Sequence, residues 1–150
     1  MTINDMKPEV IVIGQNSSII LGQVRALGHV GHKVHVLKTS NTIPKKKSYE
    51  LYSKYILSYG YISKSDEEKF IQLLLKKFAD VDAKKIIIPC DDNVAFYLDR
   101  HCQELIPFFL FPNVNYENGR ISYFMNKATQ KSLVKHCNLN TPKGWTIEWH

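Results

Sequence analysis

The chain alternates short, unbroken apolar runs with longer stretches in which apolar residues recur every three or four positions. Val10-Ile11-Val12-Ile13, closed by Gly14, is a continuous apolar run of the kind found in parallel strands covered on both faces. Ile20, Leu21, Val24 and Leu27 follow at helical spacing, with Ser17 or Ser18 placed to cap that helix and Gly28 to end it in a left-handed residue. Lys33 to Leu37 then alternates as a second strand. The segment reads as a βαβ unit, which makes its two strands parallel.

Residues 39 to 54 form a polar, lysine-rich connection around Pro44, and Tyr55-Ile56-Leu57 follows as a short strand. Asp66 opens an amphipathic helix with Phe70, Leu73, Leu74 and Phe78 on one side. Lys85 to Ile88 is another buried strand, stopped by Pro89, and Cys90 to Asn93 is a loop entering a helix that carries Val94, Ala95, Leu98 and His101. Pro107 to Phe111 reads as a strand ending at Pro112. Strands near 9–14, 33–38, 85–89 and 107–111 predict the α/β class: a Rossmann-like open parallel sheet of about four or five strands with helices on both faces. In the tail, Asn126 caps a helix whose buried side holds Leu133, Val134 and Cys137. Residues 138 to 144 are turn-rich, and Trp145 to Trp149 alternates like a strand just beginning. The pattern divides the chain into a domain over 1–115 and a second, incomplete unit over 116–150.

At 150 residues and 17.4 kDa the chain has the size of one ordinary domain. A hydrophobic share of 44% with 23% charged residues excludes a disordered or collagen-like chain. The apolar runs are too short to span a bilayer, and Asp5, Lys7 and Glu9 interrupt the start, unlike a signal peptide. Three cysteines, at 90, 102 and 137, without paired spacing argue against a disulfide framework, so a reducing, cytoplasmic setting is expected. The net charge of +6 is concentrated at Lys38, Lys45, Lys46, Lys47 and Lys54, opposed there only by Glu50. Such a run reads first as a solvated loop. It lies on no single helix face and accompanies no nucleic-acid motif, so nucleic acid is not the expected partner.

In an open α/β sheet, ligands bind beyond the carboxyl ends of the strands. Gly14-Gln15-Asn16-Ser17-Ser18 and Pro89-Cys90-Asp91-Asp92-Asn93 both fall there, each leading into a helix N-terminus that favours an anion. Gln15, Asn16, Ser17, Ser18, Cys90, Asp91 and Asp92 are the candidate substrate-binding residues. Only one of the adjacent carboxylates Asp91 and Asp92 can cap the helix, which leaves the other free. Gly14 is the sole glycine of a dinucleotide fingerprint, the second strand ends in Leu37-Lys38 without a ribose-binding acid, and no Walker loop occurs. NAD binding is therefore not expected. Cys90, His101 and Cys102 lack metal-site spacing, as do His29, His32 and His35, so no metal site is predicted. A nucleophilic Cys90 remains open, because a helix N-terminus lowers a thiol pKa.

The tail carries a further signal. Asn126-Lys127 with Gln130, Leu133 and His136, then Asn138-Leu139-Asn140-Thr141-Pro142-Lys143, resembles the entry to an ATP-grasp domain. Ile13-Gly14 with Ser17-Ser18, Leu21-Gly22 and Arg25-Ala26-Leu27-Gly28 is similar to the βα unit that precedes it in carboxylate–amine ligases and carbamoyl-phosphate-synthase-like proteins. Lys47-Ser48, Ser53-Lys54-Tyr55 and Ile88-Pro89-Cys90-Asp91-Asp92 match further landmarks in the same order. The family's Asp before the lysine is Asn126 here, and Asn138 stands at its glycine turn. The resemblance implies a pre-ATP-grasp domain cut just after entry into the ATP-grasp part, from a cytoplasmic ligase that uses ATP and Mg²⁺ to activate a carboxylate as an acyl phosphate and join it to an amine. Lys127 would be a nucleotide-binding lysine, while this chain alone would be inactive and bind ATP weakly. Its implied partners are a small carboxylate substrate and the remaining ATP-grasp part or a separate chain carrying it, with homo-oligomerisation through the tail an option. Two other readings stand beside it: a stand-alone Rossmann-like binding or regulatory module, and the N-terminal half of a sugar-nucleotide glycosyltransferase.

Overall fold

The computed structural model describes residues 7–42, 44 and 46–140. Five strands, β1 (Val10–Gly14), β2 (Val34–Thr39), β3 (Ile56–Ile62), β4 (Lys85–Pro89) and β5 (Phe109–Leu110), form one all-parallel sheet in the order β3-β2-β1-β4-β5. The helices are α1 (Ser17–His29), α2 (Glu67–Phe78), α3 (Asp92–Arg100), α4 (Cys102–Leu105), α5 (Arg120–Met125) and α6 (Lys127–His136), with a 3₁₀ turn at Tyr49–Tyr52. The chain builds outward from β1 to β3, then crosses back to β4 and β5. The order of strands therefore reverses between β1 and β4, the point where an open sheet leaves a crevice at its carboxyl edge.

The pleat divides the core in two. Val10 and Val12 of β1 join Val34 and Val36 of β2 on one face, where Ile20 and Val24 of α1 and Leu51 cover them. Ile11 and Ile13 join Leu37 and Ile87 on the other, under Phe70, Ile71 and Leu74 of α2, Val94 and Leu98 of α3 and Cys102 and Leu105 of α4. All five residues of β1 are buried, which is why that strand reads as an unbroken apolar run. The α1 face is open over β4 and β5: Ile86 and Ile88 are half-buried there, and Leu110, paired with Ile86, is exposed.

Several local expectations need correction. Neither Ser17 nor Ser18 caps α1: Asn16 does, its Oδ1 accepting from Ser18 N and Ile19 N at 3.0 and 3.1 Å. The left-handed residue after α1 is Gly31 (φ 92°), where no side chain is favoured. Gly28 serves another purpose, since a Cβ there would stand 2.3 Å from Tyr55 Cβ. β3 is longer than Tyr55–Leu57 and starts one residue later. It is an edge strand bonded only to β2, so its outward side chains remain exposed and dilute the apolar signal. β5 is only two residues long, bracketed by Pro107 and Pro112, neither of which can donate to a ladder. Asn126 caps α6 as expected, and Asn138 adopts the left-handed conformation (φ 54°). Leu133 and Cys137 are nevertheless exposed and Val134 only half-buried, because α6 packs chiefly along the short α5. The turn-rich end beyond 140 and the strand expected at Trp145–Trp149 lie outside the described residues.

Asp99 of α3 sets the course of the chain after β5. It is fully buried, and its carboxylate accepts from Ile121 N at 2.9 Å and Ser122 N at 2.7 Å, capping the N-terminus of α5. Its backbone oxygen accepts from Gly119 N at 3.1 Å. Residues 119–125 are thereby docked on α3, ahead of α6 and Lys127.

Candidate functional site

The two loops singled out by position meet at the switch point. Cys90 N donates to Ile13 O at 2.7 Å, and Gln15 N donates to Asp91 Oδ2 at 3.0 Å. A Cβ on Gly14 would lie 2.7 Å from Cys90 Cβ, so the close approach of these loops requires a glycine at the end of β1. Of the two acids, Asp91 is the cap of α3, with Val94 N donating to its Oδ1 at 3.0 Å. Its other oxygen also accepts from Thr39 Oγ1 at 3.3 Å, so one carboxylate ties the ends of β1, β2 and β4 together. Asp92 is exposed on the first turn of α3. A second carboxylate about 5 Å from Asp91 would meet about 3 kcal/mol of repulsion at an effective dielectric near 20. An anion here needs a compensating cation.

Cys90 is not an activated nucleophile. Burial, followed by the neighbouring Asp91 charge, pushes its thiol up to about 11. The helix N-terminus beside it is already satisfied by Asp91, which removes the effect expected to lower that pKa.

On the α1 side of the same edge, the solvated-loop reading fails for two of its residues. Lys38, at the end of β2, is buried, and its ammonium donates to Glu50 Oε1 at 2.5 Å and Ser17 Oγ at 2.8 Å. Glu50 is fully buried too. Burial alone would raise its carboxyl, but the Lys38 hydrogen bond, its own backbone, Ser17 and the Lys38 charge outweigh this and hold it below its ordinary value. Ser18 Oγ lies 3.2 Å from Tyr49 OH. The chain after β2 is thus folded back and fastened onto the first turn of α1. Lys47 lies over the rings of Tyr52 and Tyr59, 4.6 and 4.5 Å from their centroids. Lysine spacing gave no hint of the Lys38–Glu50 pair, because the acid sits twelve residues on, in the 3₁₀ turn Tyr49–Tyr52.

Two residues missed by the sequence reading complete the crevice. Lys64, between β3 and α2, brings Nζ to 3.5 Å from Gln15 Oε1, and its backbone oxygen accepts from Tyr97 OH at 2.7 Å. No periodic signal marks either residue. Lys127, the expected nucleotide ligand, is exposed on α6, its ammonium 3.3 Å from Gln130 Oε1. Among the described residues no three His, Cys, Asp or Glu side chains converge as a cation site.

Fold and crevice together define an open, doubly wound α/β domain with a polar switch-point site. Among the described residues no helix is long and apolar enough to cross a membrane. The chain matches no protein-family model and no curated protein.

Proposed function

We propose that this chain is the N-terminal, substrate-side domain of a cytoplasmic ATP-grasp ligase, one that activates a carboxylate as an acyl phosphate and joins it to an amine. The observation that carries the reading is the meeting of Gln15–Ser18 with Cys90–Asn93, two landmarks of the resemblance more than seventy residues apart, at the switch point of the sheet. In this reading the crevice binds and orients the carboxylate substrate, and Asp91 is a positioning residue that fixes its walls. ATP and Mg²⁺ are held by an ATP-grasp part beyond these residues, towards which α5 and α6 lead.

The test is co-expression with the coding sequence that adjoins this one in its genome, followed by assay of ADP release over a panel of carboxylates and amines. Carboxylate-dependent ADP release by the assembled protein is expected. ADP release that ignores the carboxylate, or none with any pair, overturns the proposal.

A further inference from the structure

The floor of the crevice differs from a pair of free helix N-termini. Ser18 N and Ile19 N donate to Asn16 Oδ1, while Gln15 N and Val94 N donate to the two oxygens of Asp91. Ile20 N and Ala95 N donate to the carbonyls of Asn16 and Asp91. These amides are engaged, and Asp91 sets a negative charge where an anion was expected to bind. A carboxylate held here needs a cation that is not already spent.

Five of the described cations are already paired with a carboxylate. Lys38 is paired with Glu50, Lys69 with Asp66, Lys85 with Glu9, Arg100 with Glu67 and Arg120 with Glu117. Lys64, half-buried and in none of these pairs, stands at the site itself, its ammonium 3.5 Å from Gln15 Oε1. The Tyr97 hydroxyl fixes its backbone to α3, and its ammonium leans over Gln15 at the end of β1. Gln15 turns Oε1 towards that ammonium, which leaves its Nε2 hydrogens as a second donor beside it.

Resting on the ligase reading, we propose that Lys64, with the Gln15 carboxamide, binds the carboxylate group of the substrate in the switch-point crevice. The role follows from charge: the ammonium offsets Asp91 and gives the ligand a charge-assisted hydrogen bond that the engaged amides do not. Lys127 takes no part in it.

The test uses the 150-residue chain and acetate as the probe, followed by backbone amide NMR with chloride at matched ionic strength as control. Saturable shifts at Gln15 and Lys64 are expected with acetate only. Lys64→Gln should raise the apparent Kd by up to about fivefold, the scale of one exposed charge pair, and Lys64→Arg should restore it. The anchor to Tyr97 is through the backbone, so an unchanged amide spectrum before titration confirms that both variants keep the fold. If Lys64→Gln binds acetate as the parent does, the assignment of Lys64 is overturned while the carboxylate crevice stands. If the parent shows no saturable shift, the crevice itself is not a carboxylate site, and the substrate side of the ligase reading falls with it.

Discussion

A charged pair with one partner removed costs more than the pair was worth, and Lys38 with Glu50 is the place to see it. Both side chains are almost wholly withdrawn from water, at 10% and 0% exposure. Lys38→Met should therefore cost about 3–5 kcal/mol at neutral pH by leaving the Glu50 charge buried and unpaired, and Lys38→Met with Glu50→Gln should recover part of that. The pH dependence has a definite sign. In the parent the Glu50 carboxyl is held below its ordinary 4.5, so its contribution is present above that value and lost as pH falls through the lower folded value. In Lys38→Met the Lys38 hydrogen bond and charge are gone, leaving only Glu50's own backbone and Ser17 to oppose burial, so the carboxyl rises relative to the parent and the variant loses less stability as pH falls. Urea unfolding from pH 7 down to 4 should show the gap between the two proteins narrowing. Cysteine reactivity follows the same reasoning. With its thiol pushed up to about 11, Cys90 should be nearly inert to iodoacetamide at pH 8, and the exposed Cys137 should be alkylated first. Peptide mapping after partial alkylation reads the order directly.

At the scale of elements, the crevice depends on how closely β1 and β4 end. Gly14→Ala would place a methyl 2.7 Å from Cys90 Cβ, and an overpacked contact of this kind costs about 1–3 kcal/mol. Thermal unfolding should show the loss, and the amides of Gln15 and Asp91 should shift. Asp99→Ala should free α5 from α3, because two backbone amides lose their acceptor. Hydrogen exchange should then rise at Ile121 and Ser122 while the strands stay protected. These elements also show what the sequence can reveal. β1 and β4 were legible as unbroken apolar runs, β2 by its alternation, and α2 because its apolar face repeats at helical spacing. β3 was read short, since an edge strand mixes exposed Leu57 and Tyr59 with buried Ile62. The meeting of the two loops at the switch point was legible from topology alone. Its electrostatics were not: the Glu50 partner of Lys38, the capping role of Asp99 and the reach of Lys64 to Gln15 all depend on contacts across twelve or more residues. No local pattern records such contacts.

For the whole molecule, what matters is which half of the proposed ligase reaction these residues would serve. Phosphoryl transfer rests on positioning and on stabilising charge around the transferred group. In the proposed reading, residues 7–140 would hold a carboxylate at the switch point through Gln15, Lys64 and the walls fixed by Asp91. Around Lys127 the described residues offer a side chain on an exposed helix, bonded to its own Gln130, with no converging carboxylates to hold Mg²⁺. One exposed ammonium supplies at most about 1 kcal/mol, whereas micromolar binding requires about 8 kcal/mol. The 150-residue chain is therefore expected to bind Mg-ATP no tighter than millimolar and to release no ADP with any carboxylate. Acetate should still perturb Gln15 and Lys64, so the two halves of the reaction are separable in one preparation. Calorimetry with Mg-ATP and a coupled ADP assay check the first half, and the acetate titration checks the second. Micromolar Mg-ATP binding by this chain would show a complete nucleotide site within it, and the reading of the chain as the substrate-side part of a divided ligase would have to be dropped.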